Sequence, residues 1–205
     1  MIQSFNGLSN KSAAIKRSFD LLLSLFGLIT LCWLIIIGWV LARLSSGEAG
    51  FFIQNRVGQH GKLFKVIKLQ TMKSSSEIKT TVTSSEDPRI TRIGALLRKT
   101  KIDELPQLIN VLKGDMSFVG PRPDVPGFAD ELEGEDRVVL TLKPGITGPA
   151  TIFYKNEEEL LANQADPESY NRTVIFPNKV KMNKEYIKQY TLKKDFEYII
   201  KTVIG

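Results

Sequence analysis

The sequence predicts an α+β, predominantly helical fold: an N-terminal membrane helix joined to one small domain that carries amphipathic helices. Three observations lead there. No charged residue occurs from Leu21 to Ala42. Two short strand-like runs follow, Phe51–Ile53 and Leu63–Leu69. Apolar residues at helical spacing then dominate. A chain of 205 residues has room for one domain and one membrane element. The expected division is a surface lead-in over 1–15, a membrane helix over 16–45 and a single unit over 46–205.

As a helix, the apolar run is roughly 33 Å long at ~1.5 Å per residue, about the thickness of a bilayer core. It exceeds the apolar part of a cleavable signal and is closed by Arg43, so a retained element is expected. Lys11, Lys16 and Arg17 precede it; Arg43, Arg56, Lys62, Lys65 and Lys68 follow. Basic flanks favour the cytoplasmic side, and here both flanks are basic. A re-entrant helix satisfies both. The run has no proline to break it, and Gly27, Gly38, Ser24 and Thr30 are weaker candidates for a bend, so a spanning helix stands beside the re-entrant one.

Further along, Ser45–Gly50 and Arg56–Gly61 read as turns and Ser74–Asp87 as a polar loop. Ile90, Ile93, Leu96 and Leu97 predict a helix over Pro88–Lys99. Leu105, Leu108, Ile109 and Leu112 predict another, with Asp103 at its N-cap, Pro106 in its first turn and Gly114 past its end. Gly120–Pro123 and Lys143–Gly148 should be rigid loops. The acidic runs Asp130–Asp136 and Glu157–Glu159 read as solvated surface. From Lys179 onward, lysines alternate with Tyr186, Ile187, Tyr190, Phe196, Ile199, Ile200 and Val203. That suits a helix on a membrane surface or one packed on the core.

Composition narrows the chemistry. The net charge of +6 and pI near 9.3 favour anionic partners: nucleic acid, lipid headgroups or phosphorylated substrates. Without a clustered aromatic platform, nucleic acid is not an expected partner. Cys32 is the only cysteine and His60 the only histidine. That excludes an intrachain disulfide and a Cys/His zinc site, and removes Ser-His-Asp and Cys-His machinery unless His60 serves alone. P-loop and GxGxxG patterns are absent.

Asp103 and Glu104 are the strongest candidates. At a helix start, free N–H groups favour ionised carboxylates and attract phosphate. Two adjacent carboxylates both stay charged more readily around a divalent cation, and magnesium suits carboxylate and phosphate oxygens. Lys68, Arg98 and Arg122, the last in the rigid Pro121-Arg122-Pro123 segment, would add a cationic pocket for a diphosphate. The competing interpretation is a plain N-cap within a non-catalytic, membrane-anchored partner subunit. An aspartyl-phosphate hydrolase would be expected to show DxDx[TV], which is absent.

Several segments together resemble the small monotopic phosphoglycosyl transferases, bacterial sugar transferases that begin surface glycan assembly. They are Lys16–Asp20 (KRSFD), Phe64–Met72 (FKVIKLQTM), Pro88–Gly94 (PRITRIG), Asp103–Asn110 (DELPQLIN), Lys113–Pro123 (KGDMSFVGPRP) and Lys143–Gly148 (KPGITG). The resemblance implies a UDP-sugar donor, a polyprenol (undecaprenyl) phosphate acceptor and a cytoplasmic-face catalytic domain on the bacterial inner membrane. It implies Asp103 as covalent nucleophile, with UMP released, and Glu104 as the holder of Mg2+. Lys68, Arg98 and the Pro121-Arg122-Pro123 loop would line the phosphate site. The family's membrane helix commonly breaks at a Ser-Pro pair, where this chain has Cys32-Trp33; a re-entrant helix remains the expectation.

Overall fold

The computed structural model describes residues 7–74 and 87–204. Residues 1–6 of the expected lead-in and 75–86 of the expected loop lie outside them. Helix α1 spans Asn10–Ser46, so residues 10–15 of the expected lead-in are helical. Ser9 caps its start, its side chain accepting from the Ser12 N–H at 3.2 Å. Gly47, at φ 74°, ends it by donating its N–H to the Arg43 carbonyl. The helix runs uninterrupted through Thr30–Trp33. There the Thr30 hydroxyl donates to the carbonyls of Phe26 and Gly27, at 2.9 and 3.3 Å.

One stripe of α1 faces the domain, and apart from Ile35 it is small or polar: Lys16, Asp20, Ser24, Ile35, Gly38, Ala42 and Ser46 are buried. The small residues let the backbones approach; a Cβ on Gly38 would come within 2.6 Å of Leu69. Large apolar residues cover the opposite surface. Leu22, Phe26, Ile29, Trp33, Ile36 and Leu44 each expose more than half of their area. In water each would forgo about 1.5–3 kcal/mol of burial, so this face is built for lipid.

Charged residues before the apolar run fasten α1 to the rest. Lys16 Nζ lies 2.6 Å from Asp195 Oδ2, and Tyr186 donates its hydroxyl to Asp195 Oδ1 at 2.6 Å. Asp20 accepts from the Ser117 hydroxyl and the Phe118 N–H, both at 3.1 Å. Arg17 donates to the carbonyls of Val111 and Leu112, at 2.6 and 2.8 Å. Those carbonyls lie in the last turn of a helix, where i+4 partners run out, and the Val111 carbonyl also accepts from the Gly114 N–H at 3.0 Å.

Strands β1 (Phe51–Val57) and β2 (Leu63–Leu69) form an antiparallel hairpin, Phe51 opposite Leu69 and Val57 opposite Leu63. Pairing carries β1 beyond the expected Phe51–Ile53 and shortens the turn to Gly58–Lys62, where His60 sits at φ 60°. Helix α2 is Arg92–Lys99, later than the expected Pro88 start. Ile90 instead bridges to Met72, and Thr91 caps the helix through the Gly94 N–H at 2.8 Å.

Helix α3, Gln107–Lys113, starts after Pro106 and ends at Gly114, φ 94°. Its most buried side chains include Gln107, Leu108, Asn110 and Val111, only partly the expected leucine stripe. Asn110 accepts from the Ile67 N–H at 3.0 Å and donates to the Lys65 carbonyl at 2.7 Å. One buried amide thus satisfies the free edge of β2.

Strands β3 (Ser117–Val119) and β4 (Gly145–Thr147) pair in parallel, so the expected loop Lys143–Gly148 contains a strand. Helices α4 (Pro149–Phe153), α5 (Glu157–Ala162), α6 (Pro167–Tyr170), α7 (Phe176–Lys188) and α8 (Leu192–Ile204) complete the chain. The tail packs on the core in part. Tyr186 and Ile187 of α7 enter a core with Val119, Val138 and Leu142, whereas Phe196 and Ile200 of α8 remain about half exposed.

Removing one partner of a buried ion pair leaves an uncompensated charge, which costs about 3–5 kcal/mol. Lys16→Met is expected to lower the unfolding free energy by about that amount in denaturant titrations of the detergent-solubilised protein. The exposed-site control Lys11→Met should stay within about 0.5 kcal/mol.

Candidate active site

Asp103 and Glu104 do not cap an α-helix, contrary to the expectation. They sit on a single 3-10 turn, Ile102–Glu104, between α2 and α3. Lys101 before it adopts φ 58°, a left-handed conformation that costs a non-glycine residue free energy and often marks functional turns. The Glu104 N–H then donates to the Lys101 carbonyl and the Leu105 N–H to that of Ile102. Both carboxylates are 8 % exposed and line one cleft of about 2060 Å³.

Three distant segments meet at Glu104. Lys68, near the end of β2, and Arg122, in the loop after β3, each place a nitrogen 2.8 Å from Glu104 Oε1. The loop carrying Arg122 is latched on both sides. Gly120 donates to Thr147 and Gly145 to Pro121, at 2.9 and 2.8 Å; Arg56 reaches the Pro123 carbonyl at 3.2 Å. Glycine is required at this junction. A Cβ on Gly120 would lie 2.4 Å from the Lys143 carbonyl oxygen, and one on Gly145 2.2 Å from the Gly120 nitrogen.

The two carboxylates are electrostatically unlike. Burial disfavours the charge on Glu104, but Arg122 and then Lys68 outweigh it and hold the carboxyl well below its ordinary range. Burial, and next the Glu104 charge, push Asp103 up to about 6 against Lys68, Lys101 and Arg98. Asp103 Oδ1 is buried and accepts no hydrogen bond among the described residues. A buried orphan acceptor in a cleft is a group awaiting a partner.

The cleft therefore brings together Lys68, Arg98, Asp103, Glu104, Pro121, Arg122 and Pro123. Arg98 does not touch the dyad: its guanidinium pairs with Glu158 and reaches Met72 Sδ at 3.6 Å. The acidic run Glu157–Glu159 is accordingly more than solvated surface. Glu157 holds Lys179 at 2.7 Å while Glu158 holds Arg98. Sequence reading missed Arg56, Asp124, Tyr154 and Lys179, all in the cleft lining. Only Asp124, directly after the Gly-Pro-Arg-Pro segment, carried a local signal.

A family model described as bacterial sugar transferase matches residues 11–205. A Bacillus subtilis (strain 168) protein, provisionally named an undecaprenyl-phosphate N-acetylgalactosaminyl 1-phosphate transferase, is 46% identical over 65% of this chain and 76% of its own length. The exopolysaccharide production protein ExoY of Sinorhizobium fredii is 33% identical over 92% of this chain and 83% of its own. The undecaprenyl-phosphate galactose phosphotransferase of Salmonella typhimurium is 35% identical over 96% of this chain, which spans only 41% of that longer relative.

Proposed function

The chain belongs to the bacterial sugar transferase family, whose relatives include named sugar phosphotransferases, and on that premise we propose that it moves a sugar 1-phosphate from a UDP-sugar to undecaprenyl phosphate. The observation that carries this reading is Asp103: a buried carboxylate with an orphan oxygen, beside a Glu104 already neutralised by two cations. An oxygen of Asp103 attacks the phosphorus bearing the sugar. The bond from that phosphorus to the bridging oxygen breaks, and UMP leaves. An oxygen of the lipid phosphate then attacks the same phosphorus, the acyl phosphate bond breaks and Asp103 is regenerated.

Arg122 and Lys68 contribute twice: they keep Glu104 ionised and supply positive charge where diphosphate oxygens must sit. The donor set also suits magnesium. Glu104 Oε1 is taken by Lys68 and Arg122, but Oε2 has no protein partner among the described residues, and Asp103 Oδ1 is orphaned. Magnesium commonly takes one or two carboxylate oxygens and completes its shell with phosphate and water. When bound, it would neutralise charge building on the leaving phosphate.

The acceptor's apolar chain has a route in. The cleft extends from the dyad to Leu23, Gly27, Thr30 and Leu31 of α1 and to Ile200 and Val203 of α8. Its volume exceeds the ~300–1,000 Å³ typical of single-ligand pockets, as a site for two substrates requires. We place the domain on the cytoplasmic face of the inner membrane, with α1 re-entrant as a curved, unbroken helix. Both ends of α1 dock on this one domain, through Lys16, Arg17 and Asp20 at one end and through Trp39, Ala42 and Ser45 at the other. The Thr30 hydroxyl bonds to the preceding turn favour a bend between them.

Incubation with a UDP-sugar labelled in the sugar, without lipid, should leave label on the protein at Asp103. Asp103→Asn should abolish it and lower turnover on the order of a thousandfold or more. Only the ionised carboxyl attacks. With Asp103 raised to about 6, the labelling rate should hold above that pH and fall about tenfold per unit below it. Turnover by a wild type that never becomes labelled would replace this route with direct transfer.

Excess chelator should stop UMP release and added magnesium restore it; full activity in chelator would remove the metal.

For topology, Lys11→Cys and Lys62→Cys, each made in a Cys32→Ser background, should resist an impermeant thiol reagent on intact cells and react after permeabilisation. Labelling of position 11 alone in intact cells would show a spanning helix.

A further inference from the structure

Beyond the dyad the cleft opens onto a second polar cluster that the transfer steps leave unused. Asp124 follows Arg122 by two positions. Its backbone carbonyl accepts from the Val57 N–H at 2.9 Å, fixing the loop, while its carboxylate has no hydrogen bond or ion pair among the described residues. Lys179 and Arg56 bear on that carboxylate as cations, yet burial outweighs them and pushes it up to about 6. Lys179 is held by Glu157 at 2.7 Å and lies 5.8 Å from the centre of the Tyr154 ring.

The same cleft holds further unpartnered groups. Asn183, one helical turn beyond Lys179 on α7, is 5 % exposed, and its Oδ1 has no partner among the described residues. Thr151 Oγ1, on α4, is likewise buried without one. Both residues line the same cleft as Asp124. Folded proteins rarely leave such atoms unmatched unless water or a ligand completes them. The Asp124 carboxylate and Asn183 Oδ1 can accept, and the Thr151 hydroxyl can accept or donate, a set that favours a ligand rich in hydrogen-bond donors over a bare phosphate. A hydroxyl donates once and accepts twice, a free carboxylate accepts from two neighbours, and an ammonium donates to the oxygens left over. A polyhydroxylated ring satisfies that set, and the Tyr154 face offers it an apolar surface.

We propose that Asp124, with Lys179, Asn183 and Thr151, reads the hydroxyl pattern of the donor's sugar and sets which UDP-sugar is used. This rests on the reading of the donor as a UDP-sugar and adds the residues that choose among such donors. The ribose of the nucleotide is the other source of paired hydroxyls, and the test separates the two.

The full chain in detergent or nanodiscs is assayed for UMP release from UDP-glucose, UDP-galactose, UDP-N-acetylglucosamine and UDP-N-acetylgalactosamine, and for inhibition by UDP, which has ribose but no sugar. Asp124→Asn should lower kcat/KM for the preferred donor by about tenfold or more and narrow the gap to the others, because a site built to bond hydroxyls loses its discrimination with them. Inhibition by UDP should stay within about twofold of wild type. Weakening of UDP in parallel would assign Asp124 to the ribose, and an unchanged sugar preference would remove it from recognition; either result overturns the proposal. Should Asp124→Asn not fold, Asn183→Ser carries the same expectations. A wild type that releases UMP from none of the four would bring down the donor reading itself, and this inference with it.

Discussion

Glu104 Oε1 is the point on which the site converges. Two cations reach that one oxygen, Lys68 from the hairpin and Arg122 from the loop after β3. Buried cations without a counter-charge would be costly, and so would a buried carboxylate alone. The triad therefore ties β2, the dyad turn and the Gly-Pro-Arg-Pro loop into one unit. It also explains why two adjacent carboxylates differ. The charge on Glu104 is spent on its partners, whereas Asp103 is left desolvated beside it, with an oxygen free for chemistry.

The same economy governs the attachment to the membrane helix. Lys16, Arg17 and Asp20 could have been topology signals alone. Instead each is bonded to a different part of the domain: α8, the end of α3 and β3. The long apolar helix, exposed on one face, is thus a structural member of the domain on the other. This is why its stripe toward the domain is mostly small or polar, Ile35 excepted, while its outer surface is large and apolar.

Much of this was legible in the sequence because it rests on local rules. The charge-free run, the β2 boundaries and the Gly114 stop follow from periodicity and turn chemistry over short windows. The dyad with Lys68 and Arg122 was also readable, from residue type and from the resemblance of whole segments, whereas Arg98 lines the cleft but pairs with Glu158. What was not legible is what long-range pairing decides. Pairing with β2 extended β1, and pairing with β3 made Gly145–Thr147 a strand. Asn110 carried no role in the sequence reading beyond its segment, but serves the β2 edge. Glu157 and Glu158 looked solvated because their partners, Lys179 and Arg98, are far along the chain. The Asp103 turn was misread as an α-helical cap because the left-handed Lys101 has no marker in the sequence.

The close approach of Gly120 to Gly145 and Gly148 bears on how the loop carrying Arg122 can change over evolution. Each missing Cβ would meet backbone atoms, the Lys143 carbonyl, the Gly120 nitrogen or the Gly120 carbonyl, within 2.4 Å. A clash with a side chain can be relieved by a smaller neighbour elsewhere; a clash with backbone has no such compensating substitution. The two segments are therefore expected to vary around fixed glycines. Diversity among relatives should accumulate in side chains that hang from this frame, so that substrate preference can drift while the geometry that presents Arg122 to Glu104 stays put.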